Sequence, residues 1–119
     1  VENYFDTGEL KQIKTYKNGI LNGPRRVFRK NGKLQQEGIY INGEVEGYRR
    51  AWNENGILIG ERLYENGVVV GSQKRWYDNG NLKSEISYEN GKINGKAIKY
   101  NEQGEITEEK TYINGKLIN

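Results

Sequence analysis

Apolar side chains recur along this chain at a fixed interval of 24 residues, with polar residues between them. The interval is unbroken through five units. Self-similarity at a fixed period is typical of repeat architectures. Four apolar columns share it: Tyr4, Phe28, Trp52, Trp76 and Tyr100; Tyr16, Tyr40, Tyr64, Tyr88 and Tyr112; Leu10, Leu34, Leu58, Leu82 and Ile106; and Leu21, Val45, Val69, Ile93 and Leu117.

Glycines follow the same interval and mark where the chain turns. Asparagine followed by glycine, as in Asn90-Gly91, is the strongest short-range hairpin signal because both residues tolerate positive φ. One such pair and one three-residue turn, as in Asp78-Asn79-Gly80, leave about eight residues for each strand. The pattern predicts an all-β fold: a single-layer antiparallel meander of about ten strands, built from five hairpin units and roughly 45 Å long.

A third glycine column falls inside strands, where glycine indicates a bulge. We expect Trp76 to lie opposite Leu82, Tyr88 to share their face, and Tyr88 to lie opposite Ile93. A bulge at Gly95 would bring the next aromatic residue onto that face, with an aromatic ring packed on the glycine. One face would then carry the aromatic and leucine ladders, and the other mostly Lys, Glu, Gln, Ser and Thr. The column comprises Gly23, Gly47, Gly71 and Gly95, with Asn119 in the fifth position.

Composition limits the chain to one repeat domain, residues 1–119, whose units begin near the five residues of the first aromatic column. The hydrophobic fraction is 34% and the mean hydropathy is −0.97, so a thick two-layer core is not expected. Two tryptophans, nine tyrosines and two phenylalanines, evenly spread, oppose disorder. The chain starts at Val1 and not at methionine, which leaves two locations open: the cytoplasm, or the cell envelope after removal of a signal peptide.

The stretch YDNGNLKSEISYENGKINGK, residues 77–96, resembles the variant class of MORN repeats. All five units share this resemblance, although unit three has Gly60 and Val70, and unit one has Thr7 and Ile13, where the repeat favours other residues. The resemblance implies stacked hairpins in an elongated sheet. Because the chain begins and ends mid-pattern without clear caps, we also expect further repeats beyond one or both ends. It also implies mostly bacterial proteins, many of them antitoxins of the YwqK type.

Catalytic chemistry has little support in the sequence. Cysteine and histidine are absent, so neither a thiol nor an imidazole is available as nucleophile or base. We expect no enzyme activity, no cofactor and no metal site. The glutamate column Glu37, Glu61, Glu85 and Glu109 is interpreted as structural, because our register places Glu37 opposite Arg25 and Glu61 opposite Arg49.

Basic residues recur in corresponding segments of successive units and are the candidate binding residues. Three interpretations compete: a solvated face, a docking surface for an acidic protein, and attraction to anionic lipid. Nucleic acid is disfavoured because sixteen acidic residues interleave with the cations. The candidates are Arg25, Arg26, Arg49, Arg50, Lys74, Arg75, Lys96 and Lys99, extended by Arg29, with Trp52 and Trp76 as anchors.

These observations favour a non-enzymatic protein-binding module. The resemblance makes a toxin a candidate partner, neutralised by steric occlusion. The alternative is a peripheral cell-envelope protein that associates with anionic lipid or another surface component. Because an open sheet has unpaired edges, a dimer through the terminal strands is a further expectation.

Overall fold

A computed structural model describes residues 1–118 of the chain, and Asn119 lies outside the described residues. The described part folds as one antiparallel sheet in which every strand pairs with its neighbours in sequence order. The strands are β1 (Glu2–Tyr4), β2 (Leu10–Lys17), β3 (Ile20–Phe28), β4 (Leu34–Ile41), β5 (Glu44–Trp52), β6 (Leu58–Glu65), β7 (Val68–Trp76), β8 (Leu82–Glu89), β9 (Lys92–Tyr100), β10 (Ile106–Ile113) and β11 (Lys116–Leu117).

The sheet is a single layer, as the low apolar content predicts. The molecule measures 50 × 34 × 16 Å, and its long axis agrees with the roughly 45 Å expected from strand spacing. Among residues 1–118 no hydrophobic side chain is fully buried. The described chain also contains no helix long and apolar enough to cross a membrane. The predicted all-β hairpin meander is therefore confirmed.

Both predicted turn types occur. The Asn90-Gly91 pair has φ of 51° and 81°, and the same positive values recur at every equivalent Asn-Gly corner. At the other corner, the Gly80 N–H donates to the Tyr77 carbonyl at 2.9 Å, and the Tyr77 N–H donates to the Asn81 carbonyl at 2.9 Å. These bonds close the three-residue loop and leave Gly80 at a positive φ of 88°.

The third glycine column forms strand bulges, as predicted. Ile86 lies opposite Ala97, whereas Tyr88 lies opposite Ile93, so β9 advances four residues while β8 advances two. Because β9 gains an even number of residues, two, its side chains keep their faces. The prediction that this bulge brings Tyr100 onto the face of Tyr88 is therefore wrong. An aromatic residue does lie opposite Gly95 (φ 103°): it is Tyr112, as Tyr88 lies opposite Gly71. The atoms within 4 Å of a Cβ built on Gly95 belong to Ser87, with Ser87 Cβ at 3.3 Å, and not to a ring.

A second bulge, in each long strand pair that follows a three-residue loop, was not predicted. Trp76 lies opposite Leu82, as expected, but Arg75 lies opposite Ser84, so Lys83 is an extra residue. The extra residue moves Tyr88 to the other side of the sheet, and the expectation that it shares a face with Trp76 is wrong. One face, here the tryptophan face, carries the column of Trp52 and Trp76 with its leucines. The opposite face, here the tyrosine face, carries the column of Tyr64 and Tyr88.

Neighbouring units are also linked through their loops. The Asn66 N–H donates to Glu46 Oε2 at 2.7 Å, and the Gly67 N–H donates to the Val45 carbonyl at 3.0 Å. At the other edge, the Tyr77 hydroxyl donates to the Tyr100 carbonyl at 2.7 Å. Each hairpin is thus held by its neighbours rather than by a shared core, as in other repeat proteins.

Candidate functional site

The sheet divides the candidate basic residues between its two faces, because successive residues of a strand point in opposite directions. Arg25 and Arg26 therefore lie on opposite faces, as do Arg49 and Arg50. The tryptophan face carries Arg26, Arg50, Lys74 and Lys96 together with Trp52 and Trp76, whereas the tyrosine face carries Arg25, Arg49, Arg75 and Lys99.

On the tryptophan face every one of these cations is matched by a carboxylate. The ion pairs join Arg26 Nε to Glu37 at 3.3 Å, Arg50 Nε to Glu61 at 2.7 Å, Lys74 Nζ to Glu85 at 3.8 Å and Lys96 Nζ to Glu109 at 3.1 Å. From β3 to β8 successive strands alternate in charge across this glutamate ladder, whereas in β9 Ile98 lies opposite Glu85 and Glu109. The glutamate column is therefore structural, as interpreted from the sequence.

The partners of those glutamates differ from the predicted ones by one residue. Glu37 lies opposite Arg26 and Arg50, not opposite Arg25. Glu61 lies opposite Arg50 and Lys74, not opposite Arg49. The cause is the unpredicted bulge at the position of Lys83, which shifts each strand pair by one residue before the glutamate is reached.

The tyrosine face carries cations of a different kind. Within residues 1–118, none of its five central basic side chains forms an ion pair with a carboxylate. Two pairs of them lie directly opposite each other, Lys14 with Arg25 and Arg49 with Arg62. Like charges placed directly opposite across strands are destabilising. We call this set the free cation cluster: Lys14, Arg25, Arg49, Arg62 and Arg75.

Sequence reasoning missed Lys14 and Arg62, because they lie outside the repeated basic segments. Arg62 stands where the preceding unit has Gly38 and the following unit has Ile86. The signal that could have found it is this departure from the other units, in the same unit as Gly60.

Lys99 differs from the cluster although it lies on the same face. Its Nζ is 3.2 Å from Glu108 Oε2, and Lys110 Nζ is 2.8 Å from the other oxygen of that carboxylate. The hydrogen bonds from Lys110 and from Lys99 lower the pKa of Glu108. The charges of this partly exposed trio compensate one another, so the free cation cluster is confined to the part of the tyrosine face between β2 and β7.

A cavity of about 310 Å³ opens within the free cation cluster. Ala51 and Gly60 lie opposite each other there, so no long side chain fills the space. Arg49, Arg62 and Arg75 border it, together with Gln36, Ile59, Tyr64 and Gln73. The lining also includes Arg50, Glu61 and Lys74, whose side chains form ion pairs on the tryptophan face.

Gln73 is the one buried polar side chain among the described residues, at 8% exposure. A guanidinium has only donors, so the Gln73 amide oxygen must face Arg62. In that orientation the oxygen accepts from Arg62 Nε and Nη2, each at 2.8 Å, and the amide nitrogen lies 3.2 Å from the Tyr88 hydroxyl. Arg62 is thereby held in place and keeps three further N–H donors for a ligand.

A second cavity, of about 410 Å³, lies beside the three-residue loops. Its wall combines Arg75 and Lys83 with Asp78 and Glu102, so its charges are mixed. The described residues hold no group of three side chains suited to binding a metal ion.

Comparison with known families identifies the repeat. Residues 1–18, 21–42, 45–66, 69–90 and 93–114 each match the MORN repeat variant. The chain belongs to the MORN repeat variant family. MORN repeats are in general modules that bind proteins or lipids. A search of curated proteins gives no significant match.

The five MORN units agree where the sheet is built and differ where the free cations lie. The column of Gly60 reads Gln12, Gln36, Gly60, Ser84 and Glu108, and the column of Arg62 reads Lys14, Gly38, Arg62, Ile86 and Lys110. The aromatic columns are, by contrast, aromatic in every unit. Because function lies in the side chains that decorate a common scaffold, these positions of the tyrosine face are candidates for a binding site.

The two sets of arginines should respond differently to removal of their charge. We expect Arg49→Gln to leave the free energy of unfolding unchanged or to raise it by up to about 0.5 kcal/mol, because it relieves the repulsion with Arg62. Arg50→Gln should lower it by roughly 0.5 kcal/mol or more, because the ion pair with Glu61 is only partly exposed. Urea denaturation of the two variants checks this, and equal losses would contradict the division of the charges.

Proposed function

We propose that this MORN protein is a non-enzymatic protein-binding module that docks an acidic surface of its partner on the tyrosine face. The observation that carries the proposal is the free cation cluster. On the tryptophan face, Arg26, Arg50, Lys74 and Lys96 each form an ion pair with a glutamate. On the tyrosine face, two pairs of like-charged side chains lie directly opposite each other across neighbouring strands. Carboxylates of a partner would supply the missing countercharge.

The partner that we favour is a bacterial toxin, neutralised by steric occlusion. The resemblance of the repeat to antitoxins of the YwqK type supports this choice. A rigid sheet of 50 × 34 Å is broad enough to cover the roughly 800 Å² that each partner buries in a standard interface.

Trp52 and Trp76 cannot touch a partner that docks on the free cation cluster, because they point away from it. Their role as anchors stays a prediction for a contact on the tryptophan face. In the proposed complex their task is structural.

Attraction to an anionic membrane is the second candidate, and the same cations favour it. Three exposed and two half-buried basic side chains lie on this broad face. Each exposed cation would contribute about 1 kcal/mol near an anionic surface. The chain would then be a peripheral envelope protein that lies with its tyrosine face on the lipid.

A pair of charge-matched variants separates these proposals from a solvated face. The first combines Arg25→Gln, Arg49→Gln and Arg75→Gln on the tyrosine face. The control combines Arg26→Gln, Arg50→Gln and Lys74→Gln on the tryptophan face. Each removes three positive charges and so lowers the formal net charge from +3 to zero. Wild type and variants are used to capture proteins from the natural host, followed by quantitative mass spectrometry, and to sediment with phosphatidylglycerol vesicles at physiological salt.

The proposed function expects one protein to be captured by the wild type and the control but not by the tyrosine-face variant. Vesicle binding with the same dependence, and no captured protein, would support the membrane candidate instead. Identical behaviour of all three proteins in both assays would show that the cations are solvated decoration.

Partner binding should also depend on salt. We expect the association rate to fall about tenfold between roughly 50 mM and 500 mM NaCl, because exposed charges are screened over a few ångströms at high salt. The dissociation rate should change less. Surface plasmon resonance with the captured partner measures both rates, and an association rate independent of salt would argue against docking on the free cations.

A further inference from the structure

We infer that the cavity between Arg49, Arg62 and Arg75 is a pocket for one carboxylate side chain, a glutamate or aspartate from an acidic segment of the partner. The inference rests on the proposed function and adds to it the chemistry of the central contact. The tyrosine face would then contain a specific binding site for one carboxylate rather than only a broad region of positive charge.

Geometry supports a pocket rather than a flat charged surface. The cavity of about 310 Å³ exists because Gly60 and Ala51 stand where units one and two have Gln12, Gln36 and Val27. That volume lies at the lower end of the range for binding sites. The three guanidinium groups are supplied by three consecutive strands, β5, β6 and β7.

Pre-organisation is the second argument. Two donors of Arg62 are held by the amide oxygen of Gln73, which is itself buried. A guanidinium fixed in this way presents its remaining donors without a further loss of side-chain freedom on binding. Arg49 lies directly opposite Arg62, so an anion between them would relieve their repulsion and bind both.

The apolar part of the wall selects a side chain over a small inorganic anion. Ile59, Ala51 and the ring of Tyr64 line the same cavity. They would contact the methylene groups of a glutamate, which free phosphate lacks. The occupant is therefore a carboxylate carried on an aliphatic stem.

Gly60→Gln tests the pocket without changing any charge. Gly60 lies in β6, is not among the glycines with positive φ, and has Ala51 Cβ 4.0 Å from a built Cβ, so a side chain fits there without backbone strain. The added glutamine would fill the cavity while all three arginines remain. Ser84→Gln is the matched control, since it places the same side chain in the same column one unit further, outside the cavity wall.

The probe is an acetylated, amidated tetraglutamate peptide, titrated into each protein and followed by NMR of the arginine side chains. In the wild type we expect the Nε–H signals of Arg49, Arg62 and Arg75 to shift more than that of Arg26, which lies outside the cavity wall. Gly60→Gln should weaken peptide binding about tenfold, as expected when charge-assisted hydrogen bonds are lost, and Ser84→Gln should bind as the wild type does. Inorganic phosphate should bind more weakly than the peptide.

The outcomes separate the pocket from the proposed function. If Gly60→Gln binds the peptide normally while the Arg25, Arg49 and Arg75 triple variant does not, the pocket is overturned and the basic docking face stands. If the wild type does not bind the peptide, or the triple variant binds it normally, both fail. Phosphate binding as strong as peptide binding would overturn the choice of a carboxylate side chain.

Discussion

Gly95→Ala is expected to lower the free energy of unfolding by about 2 kcal/mol, within the roughly 1–3 kcal/mol associated with a strained backbone conformation. Gly95 has a φ of 103°, which an L-residue rarely adopts, and its new Cβ would meet Ser87 Cβ at 3.3 Å. The bulge at this position accommodates two extra residues of β9, so that Tyr88 still pairs with Ile93 beside the Asn-Gly turn. Alanine would strain both the backbone and this contact.

Gly60→Ala is the control for Gly95→Ala. Gly60 follows the bulge residue Ile59 but has no positive φ, and Ala51 Cβ lies 4.0 Å from its built Cβ. The substitution should raise the free energy of unfolding by about 0.4–1 kcal/mol, because alanine restricts the unfolded chain more than glycine does. Urea denaturation monitored by tryptophan fluorescence measures both variants. Equal changes in the free energy of unfolding at the two sites would mean that the bulge does not require glycine at position 95.

Trp76→Ala is expected to cost about 2.5 kcal/mol of stability. A half-buried tryptophan withholds on the order of 100 Å² of apolar surface from water, at about 25 cal/mol per Å². Trp76 lies opposite Leu82, and the described residues form no buried core. No other packed side chains would therefore make up for the lost contact area. Calorimetric unfolding measures the change.

Trp76→Phe is the matched control, because Phe28 occupies the same column in unit two. It should retain more than half of the stability that alanine loses. Both variants, where folded, should still bind the acidic partner, since Trp76 lies on the face away from the free cations. Loss of binding by the folded Trp76→Phe variant would instead restore this residue as an interface anchor.

Most of the fold could be predicted from the repeat, because its turns and one of its bulges are formed by residue types with a strong preference for particular backbone angles. Asn90-Gly91 and Asp78-Asn79-Gly80 specify their turns through φ, and the structure confirms both. Trp76 opposite Leu82 follows from the loop length alone. Gly95 marked its bulge because few other residues tolerate that backbone.

The assignment of faces failed where the chain gives no such signal. The unpredicted bulge falls on Lys83, whose equivalents are Lys11, Gln35, Ile59 and Thr107, and none of these residue types requires a bulge. One missed residue reversed every later side chain of the strand pair. A usable signal did exist: the cations Arg26, Arg50 and Lys74 of units one to three are each followed, in the next strand, by the glutamates Glu37, Glu61 and Glu85, which favours their direct pairing.

The same reversal explains why the candidate site was only partly predicted. Arg49 and Arg75 were identified, but the register assigned Arg49 a glutamate partner that it lacks. Arg62 and Gln73 break the pattern of the repeat, and their contact requires β6 and β7 to be aligned in space. Features that depend on the repeat could be read from the chain, whereas those that depend on a single unit could not.

Cross-strand NOEs between backbone protons of β7 and β8 test the central claim most directly, because the segregation of free cations from glutamates depends on this register. We expect contacts that place Arg75 opposite Ser84 and Lys74 opposite Glu85. Contacts of Arg75 with Lys83 and of Lys74 with Ser84 would contradict the account. They would return Tyr88 to the face of Trp76 and set Glu85 on the face of Arg75, leaving no separate basic surface for a partner.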